Sequence, residues 1–386
     1  MKRLWKIAVR ECVWMAKTPI YPFCMIIFPI VVMFLFTSML NEGQPTEIPI
    51  GVVDQDNTAM TRSMVHKLEA FQSTKVVDHY ATVTEARKAI QRGEIYGFLY
   101  LPKNTTKDVY ASRQPRIAYY YSNAIILAGS MVFKDLKTIT TLSEAAVGSS
   151  KLQMLGKTTD EIKTFLQPIA LDVHMINNPY SNYNVYLSTV MIPGVIGLFI
   201  FLITVYSIGT ELKFGRGKEW MRLAKNNVVV AITGKILPQF LVFITIFLVY
   251  DWYLFCHLGF PHPGGFGTVM LLSLLMVLAC EGFGIFAFGL MPSLCMSMSI
   301  CSLWGVLGFS LSGATFPAFA MDTMLQGVAN LIPMRHYWMI HQMCVFNGFP
   351  LYDAYFNIAA LVIFACLPLL TMFNIRKAMQ EYVYIP

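Results

Sequence analysis

Six stretches of nearly unbroken apolar residues mark the chain: 21–40, 186–208, 236–255, 268–290, 296–316 and 355–373. At about 1.5 Å rise per residue, each is long enough to cross roughly 30 Å of hydrocarbon. The first stands alone near the N-terminus, and the other five crowd into the second half. Between them lies a segment of mixed polarity, 41–185. This pattern predicts a polytopic α-helical membrane protein of six transmembrane helices with one α/β domain inserted between helices 1 and 2.

Inside the insert the periodicity alternates between strand and helix. Ile48-Pro-Ile-Gly-Val-Val53 is a β-branched run that ends in the turn cluster Asp54-Gln-Asp-Asn57. From Thr61 to Phe71 the apolar residues Met64, Val65, Leu68 and Phe71 take helical spacing. Lys75–Val77 reads as a strand, Val83–Ile90 as a second helix opened by Thr84, and Gly97–Leu101 and Arg116–Tyr121 as further strands. Such alternation predicts a small sheet covered by helices. From Ser122 to about Leu155 a long helix with few breakers is expected, suited to a stalk, before 175–179 leads back to the membrane.

Composition agrees with a membrane protein: 56% of residues are hydrophobic and 13% charged. The net charge of +7 changes the picture only through its location. The head 1–20 carries Lys2, Arg3, Lys6, Arg10 and Lys17 against Glu11. The loop 209–235 carries Lys213, Arg216, Lys218, Arg222, Lys225 and Lys235 against Glu211 and Glu219, and the tail 374–386 adds Arg376 and Lys377 against Glu381. The insert is nearly neutral, with fifteen basic and fourteen acidic residues. Basic excess beside span ends marks cytoplasmic segments. Both termini and the loop are therefore expected in the cytoplasm, the insert outside, and no nucleic-acid partner. The first span is long, contains Pro22 and Pro29, and lacks a following small-x-small site, so it reads as an uncleaved anchor. None of the eight cysteines falls in the insert, and only Cys256 and Cys344 are placed to reach the outer surface.

Candidate chemistry is sparse. Asp54 and Asp56 are paired acids, but turn and helix-capping roles outweigh a metal or acid–base role. Glu281 lies near mid-depth of the fourth span, where an ionisable group costs about 2.5–3.5 kcal/mol. Two readings stay open for it: a protonated carboxyl bonded to a neighbouring helix, or a group facing an aqueous pathway or dimer seam. Asp251, beside Trp252 and Tyr253, reads as a wet carboxylate in an interfacial aromatic belt. His336 and His341 are spaced wrongly to share one helical face as metal ligands. Gly282, Gly284, Gly289, Gly305, Gly308 and Gly313 allow close helix approach, within the bundle or across a homodimer. The segment 317–340 is expected to re-enter the outer leaflet, with Met321–Ile332 as an amphipathic helix.

The cytoplasmic loop contains Glu211-Leu-Lys-Phe-Gly-Arg-Gly-Lys-Glu-Trp-Met-Arg-Leu223, in which two glycines interrupt the helix and Lys218 starts a short new one. Its basic and aromatic residues suit either a topology anchor or a docking element for a cytoplasmic partner. This segment, followed by Gly234-Lys-Ile-Leu-Pro238, is similar to the coupling region of the ABC-2 family of ATP-binding-cassette exporter permeases, particularly members with a large external loop after the first helix. Leu311-Ser-Gly-Ala-Thr-Phe-Pro317 and Leu331-Ile-Pro-Met-Arg-His336 resemble the family's fifth-helix exit and external re-entrant turn, and Gly51–Asn57 the opening strand of its external domain. The chain departs from the family at Lys218, where a small hydroxyl residue is common, and at Gln342, where arginine is.

The resemblance implies a transport subunit, not an enzyme, whose ATP and Mg²⁺ are bound by a separate cytoplasmic ATPase. It implies coupling through Glu211, Lys213, Arg216, Gly217, Lys218, Glu219, Trp220 and Arg222, and assembly with a second permease copy or a sister permease in the inner (plasma) membrane. A periplasmic adaptor is a further expected partner. The cargo would be a hydrophobic or amphipathic molecule. The chain itself lacks a G-x-x-x-x-G-K-[ST] loop. Gly156-Lys-Thr158 has Lys151 where the first glycine belongs, and Lys218 is followed by Glu219. The competing class is a membrane-anchored sensor or assembly scaffold with a ligand-binding external domain; an intramembrane enzyme has no supporting constellation.

Overall fold

The computed structural model describes residues 2–111, 113–175, 177–178 and 181–382. The chain divides into two compact units, one formed by 42–175 and the other by 1–41 with 176–386.

The inserted unit is a four-stranded sheet among the described residues, ordered β2-β1-β3-β4. Its elements in chain order, after α1 (Lys2–Lys17) and α2 (Ile20–Met39) of the other unit, begin with β1 (Ile48–Asp54), α3 (Ala59–Leu68), β2 (Thr74–His79) and α4 (Val83–Arg92). They continue with β3 (Gly97–Leu101), α5 (Thr105–Tyr110), β4 (Ala118–Tyr121), α6 (Ile126–Met154) and α7 (Thr159–Leu166). β1 pairs in parallel with β2 and β3, whereas β4 returns antiparallel to β3. The connection to β2 and the connection back past β1 to β3 run in opposite directions across the sheet. Right-handed crossovers therefore put α3 and α4 on opposite faces.

Period-two alternation supplies both faces. Ile48, Ile50 and Val52, with Leu99 and Leu101, pack against α3 and against Ala128, Val132, Leu136 and Ile139 of α6. Val53 and Phe98 point the other way and pack on Ala86 and Ala89 of α4. Gly51 is required on that second face, since a Cβ there would lie 2.7 Å from the Tyr80 ring. The first half of α6 thus covers the sheet. Its second half forms a hairpin with α7, where Gly148 meets Leu166.

Local polar chemistry fixes the helix starts. Thr58 and Thr61 form a capping box on α3, and Thr82, two residues before the sequence-based start at Thr84, caps α4 through the amide of Glu85. Thr158 caps α7 reciprocally with Glu161, so Gly156–Thr158 is a helix-entry turn. Asp54 accepts the amides of Asp56 and Asn57, and Asp56 accepts the amide and hydroxyl of Thr106. The little burial at Asp56 would raise its carboxyl, but the bonds from Thr106 and Thr58 hold it below the usual range.

Asp135 on α6 is buried and accepts from the Thr74 hydroxyl at 3.1 Å. Burial pushes its carboxyl above the ordinary value, against the hydrogen bonds from Thr74 and Ser73. A raised folded-state value means that ionisation destabilises the fold as pH climbs through the window between the ordinary and the raised value. Asp135→Asn keeps an acceptor for Thr74 and removes the charge. In the full-length protein its sheet amides should exchange more slowly than wild type at pH 7.5, with the difference closing toward pH 4. Equal protection at both pH values would show that Asp135 is ionised without penalty.

The second unit contains all six helices that are long and apolar enough to cross a membrane among the described residues. They are α2, α8 (Tyr183–Lys213), α10 (Val228–His257), α11 (Phe266–Leu290), α12 (Leu294–Leu311) and α15 (Leu351–Glu381). Shorter α9 (Gly217–Leu223), α13 (Thr323–Ala329) and α14 (Pro333–Ile340) lie between them. The expected helix Met321–Ile332 is therefore shorter, capped by Asp322, and α14 restarts at Pro333. Long α8 and α11 form the interior, while α12 and α15 keep much of their surface outward. Glycines set the contacts inside the bundle. Gly282 and Gly289 face α15, Gly284 faces Thr204 of α8, and Gly305 faces Leu198 of α8. No disulfide joins any of the eight cysteines, and Cys344 is buried.

Candidate functional site

The segment after α8 is built by a helix stop. The amide of Arg216 reaches the Glu211 carbonyl and that of Gly215 reaches Leu212, while Gly215 takes φ +67°. This double bond around a left-handed residue is the Schellman arrangement, which favours glycine. It turns the chain directly into α9. Gly217 lies against α15, where a Cβ would sit 2.9 Å from the Met379 carbonyl oxygen. After α9, Lys225 and Asn226 both adopt positive φ, and the Asn227 side chain caps α10.

The connecting turn is thus 214–227, narrower than the expected 209–235. Glu211 belongs to α8 and Lys235 to α10, and both are buried rather than loop charges. Of the other expected coupling residues, Gly217 and Trp220 are buried and Arg216 is partly so. Lys213, Lys218, Glu219 and Arg222 are exposed. Short α9 therefore plugs Trp220 and Met221 into the bundle and leaves a charged outer side.

Beneath that turn lies an ion cluster drawn from four elements. Lys235 is 1% exposed, and its Nζ donates to Glu11 Oε2 at 2.6 Å and to Glu211 Oε1 at 3.0 Å. Glu11 also accepts from the Ser207 hydroxyl. Glu211 receives Arg10 Nη2 at 3.0 Å on both oxygens and has the Arg216 guanidinium 3.7 Å away. Arg216 in turn covers the Trp14 ring at 3.9 Å, and the Trp220 ring lies 5.4 Å from Lys235 Nζ. Three cations and two carboxylates balance to within one charge, which makes their burial tolerable.

Lys235 stands in the Gly234–Pro238 motif with no role of its own assigned to it, and Arg10 and Glu11 belong to no motif. Their signal was present as anomalies: one acid in a basic head, and one lysine several residues inside an apolar run. α1 can reach the cluster because Gly234 leaves room for it, a Cβ there lying 3.0 Å from Ile7. The opposite side of α1 exposes Trp5, Val9 and Val13 among its basic residues, the pattern of a helix lying along a membrane surface.

The other candidates settle differently. Glu281 is buried on α11, and its Oε1 has no hydrogen-bond partner among the described residues. A narrow cleft between α8 and α12 is lined by Gly194, Gly197, Phe201, Trp304 and Gly305 with Met276 of α11, and Glu281 does not line it. Asp251 is not a wet interfacial carboxylate: it is fully buried and accepts from Ser273 at 2.6 Å, while Trp252 faces outward and Tyr253 is half-buried. α10 continues past Asp251 as a wide-turned segment, Trp252–His257, and Asp251 itself lies on the buried side of the regular helix with Phe247 and Tyr250. His336 Nε2 donates to the Asn330 carbonyl, and its Nδ1 meets the Asn357 carboxamide at 2.9 Å. His341 sits among the rings of Phe255, Tyr337, Trp338 and Phe346. Among the described residues no group of three or more His, Cys, Asp or Glu is placed to hold a metal.

A family profile described as ABC-2 family transporter protein matches residues 20–373. No curated protein sequence matches the chain.

Proposed function

Because the chain belongs to the ABC-2 family of transporter proteins, and so is a multi-pass permease subunit, we propose that it is one half of an ATP-driven exporter energised by a separate ATPase. The observation that carries this reading is the cluster around Lys235. It joins the turn carrying α9 to α1, α8 and α10, so a push on α9 is passed to three helices at once instead of being lost in a loose loop. Charged networks with fixed partners move as units, because separating buried charges is costly. The exposed Lys213, Lys218, Glu219 and Arg222 would meet the ATPase, which would bind ATP and Mg²⁺ on its own chain.

On this reading α1, the 214–227 turn and the C-terminal end of α15 face the cytoplasm of the inner membrane, and the insert faces outside. ATP-driven closure of two ATPases would rearrange two permease halves and expel a hydrophobic or amphipathic molecule, with an adaptor as an added partner of the insert. The basic head and turn support the orientation.

The test is co-purification. The full-length permease should retain an ATPase that carries the phosphate-binding loop this chain lacks, and should stimulate its hydrolysis. Lys218→Glu with Arg222→Glu should weaken that association about tenfold or more and alter its salt dependence, since rim charges act on encounter. Both side chains are exposed, so the fold should persist. An unchanged association, or no ATPase retained at all, would reject the assignment.

A further inference from the structure

Between α7 and α8 runs Pro168-Ile-Ala-Leu-Asp-Val-His-Met175. Its apolar residues Ile169, Leu171, Val173 and Met175 alternate with Ala170, Asp172 and His174, the period of a strand with one apolar face. Among the described residues, no backbone-to-backbone hydrogen bond involves 168–174. Asp172 Oδ2 and His174 Nε2 lie 3.2 Å apart, so these alternate side chains share one side of the chain. Ile169, Leu171 and Val173 are 73%, 79% and 73% exposed. The stretch 168–174, strand-patterned with open backbone groups and exposed apolar side chains, is a template for pairing with another strand.

We propose that this segment pairs antiparallel with the same segment of a second copy of this chain, about a two-fold axis through Val173. The charge pattern selects that occupant. Opposed residues in an antiparallel pair share a face, so a one-residue offset would set apolar side chains against polar ones. A two-fold centred on Asp172 would oppose two aspartates, and one centred on His174 would oppose two histidines. Centred on Val173, each Asp172 faces His174 of the second copy, and Leu171 faces Met175 on the apolar side. The complementarity is satisfied twice by one sequence, as an isologous interface requires.

The proposal rests on the reading of the chain as one of two permease halves and specifies that the other half is the same chain. It is tested in membranes holding the full-length protein. The insert contains no cysteine, so wild type sets the background for cross-linking. Opposed Cα atoms in such a pair are about 4.5–5.5 Å apart, within disulfide range. Val173→Cys should therefore give a disulfide-linked homodimer under mild oxidation. Leu171→Cys alone should cross-link about tenfold less, because like positions then lie about 13 Å apart along the strands. Differently tagged Leu171→Cys and Met175→Cys chains should cross-link to each other. Asp172→Lys should lower the Val173→Cys yield, and His174→Glu added to it should restore the yield.

A Val173→Cys chain that stays monomeric, reacts no better than Leu171→Cys, or links to a protein of different mass overturns the pairing. So does one that is shielded from a water-soluble thiol reagent without cross-linking, which would assign the segment to lipid. ATPase retention in the same membranes separates the two readings. Cross-linking lost with the ATPase still bound rejects only the pairing, while loss of ATPase binding with cross-linking intact rejects the functional assignment.

Discussion

Replacing Lys235 with methionine is expected to destabilise the membrane unit by about 3–5 kcal/mol, the usual cost of removing one partner from a buried ion pair. The side chain is 1% exposed and bridges Glu11 and Glu211. Without it Glu211 keeps Arg10, but among the described residues Glu11 keeps only the Ser207 hydroxyl. The penalty therefore falls on Glu11, which would be a buried carboxylate without a cation. Adding Glu11→Gln to Lys235→Met should recover most of the loss. Thermal unfolding in detergent, run as a double-mutant cycle, reads the coupling directly. If Lys235→Met melts as wild type does and the cycle shows no coupling, the cluster does not lock α1, α8 and α10 together. ATPase stimulation by the rescued double variant then separates structure from transmission: full stability with lost stimulation would place energy transfer in the charges themselves.

Gly282→Leu is the second change expected to have a large effect. A Cβ at 282 would lie 2.3 Å from the Phe364 carbonyl oxygen and 2.7 Å from the Ala365 Cα. Both obstacles are backbone, so relief requires α11 and α15 to separate over several residues. Overpacking of this kind costs about 1–3 kcal/mol, and more where backbone must move. The variant should fail to accumulate as a folded species by size-exclusion fluorescence. Gly267, in the first turn of the same helix, has nothing within 4 Å of its Cβ position. Gly267→Ala should therefore be neutral or stabilise by about 0.5–1 kcal/mol through helix propensity. Equal behaviour of the two variants would show that α11 and α15 are not in close backbone contact.

Much of the fold was legible because its signals are local. Ile48, Ile50 and Val52 alternate within five residues, and Met64, Val65 and Leu68 recur at helical spacing, so each element announces itself without knowledge of the rest. The site was legible only in outline. The Glu211–Leu223 segment drew notice through its glycines and its mix of charge and tryptophan. The pairing of its charges did not, because Glu11 and Lys235 are 224 positions apart and no pattern within a window connects them. Glu211 and Lys235 were counted as loop charges because hydropathy ends a helix where polarity begins, whereas a buried pair lets the helix run on through it. Asp251 misled for a similar reason: neighbouring aromatics suggest an interface, but the carboxylate falls on the buried side of α10 with Phe247 and Tyr250.

By itself, the sequence determined the number of apolar spans, the inserted domain between the first two, its alternating strands and helices, and the lack of a phosphate loop of its own. These depend on composition and period along the chain, and solvent or lipid reads them one segment at a time. The tertiary structure alone decided which helices touch and which charges neutralise one another. Those are properties of distance in space, where a glycine at 282 or 234 sets how near two helices come and a lysine at 235 finds its carboxylates on helices far away in sequence.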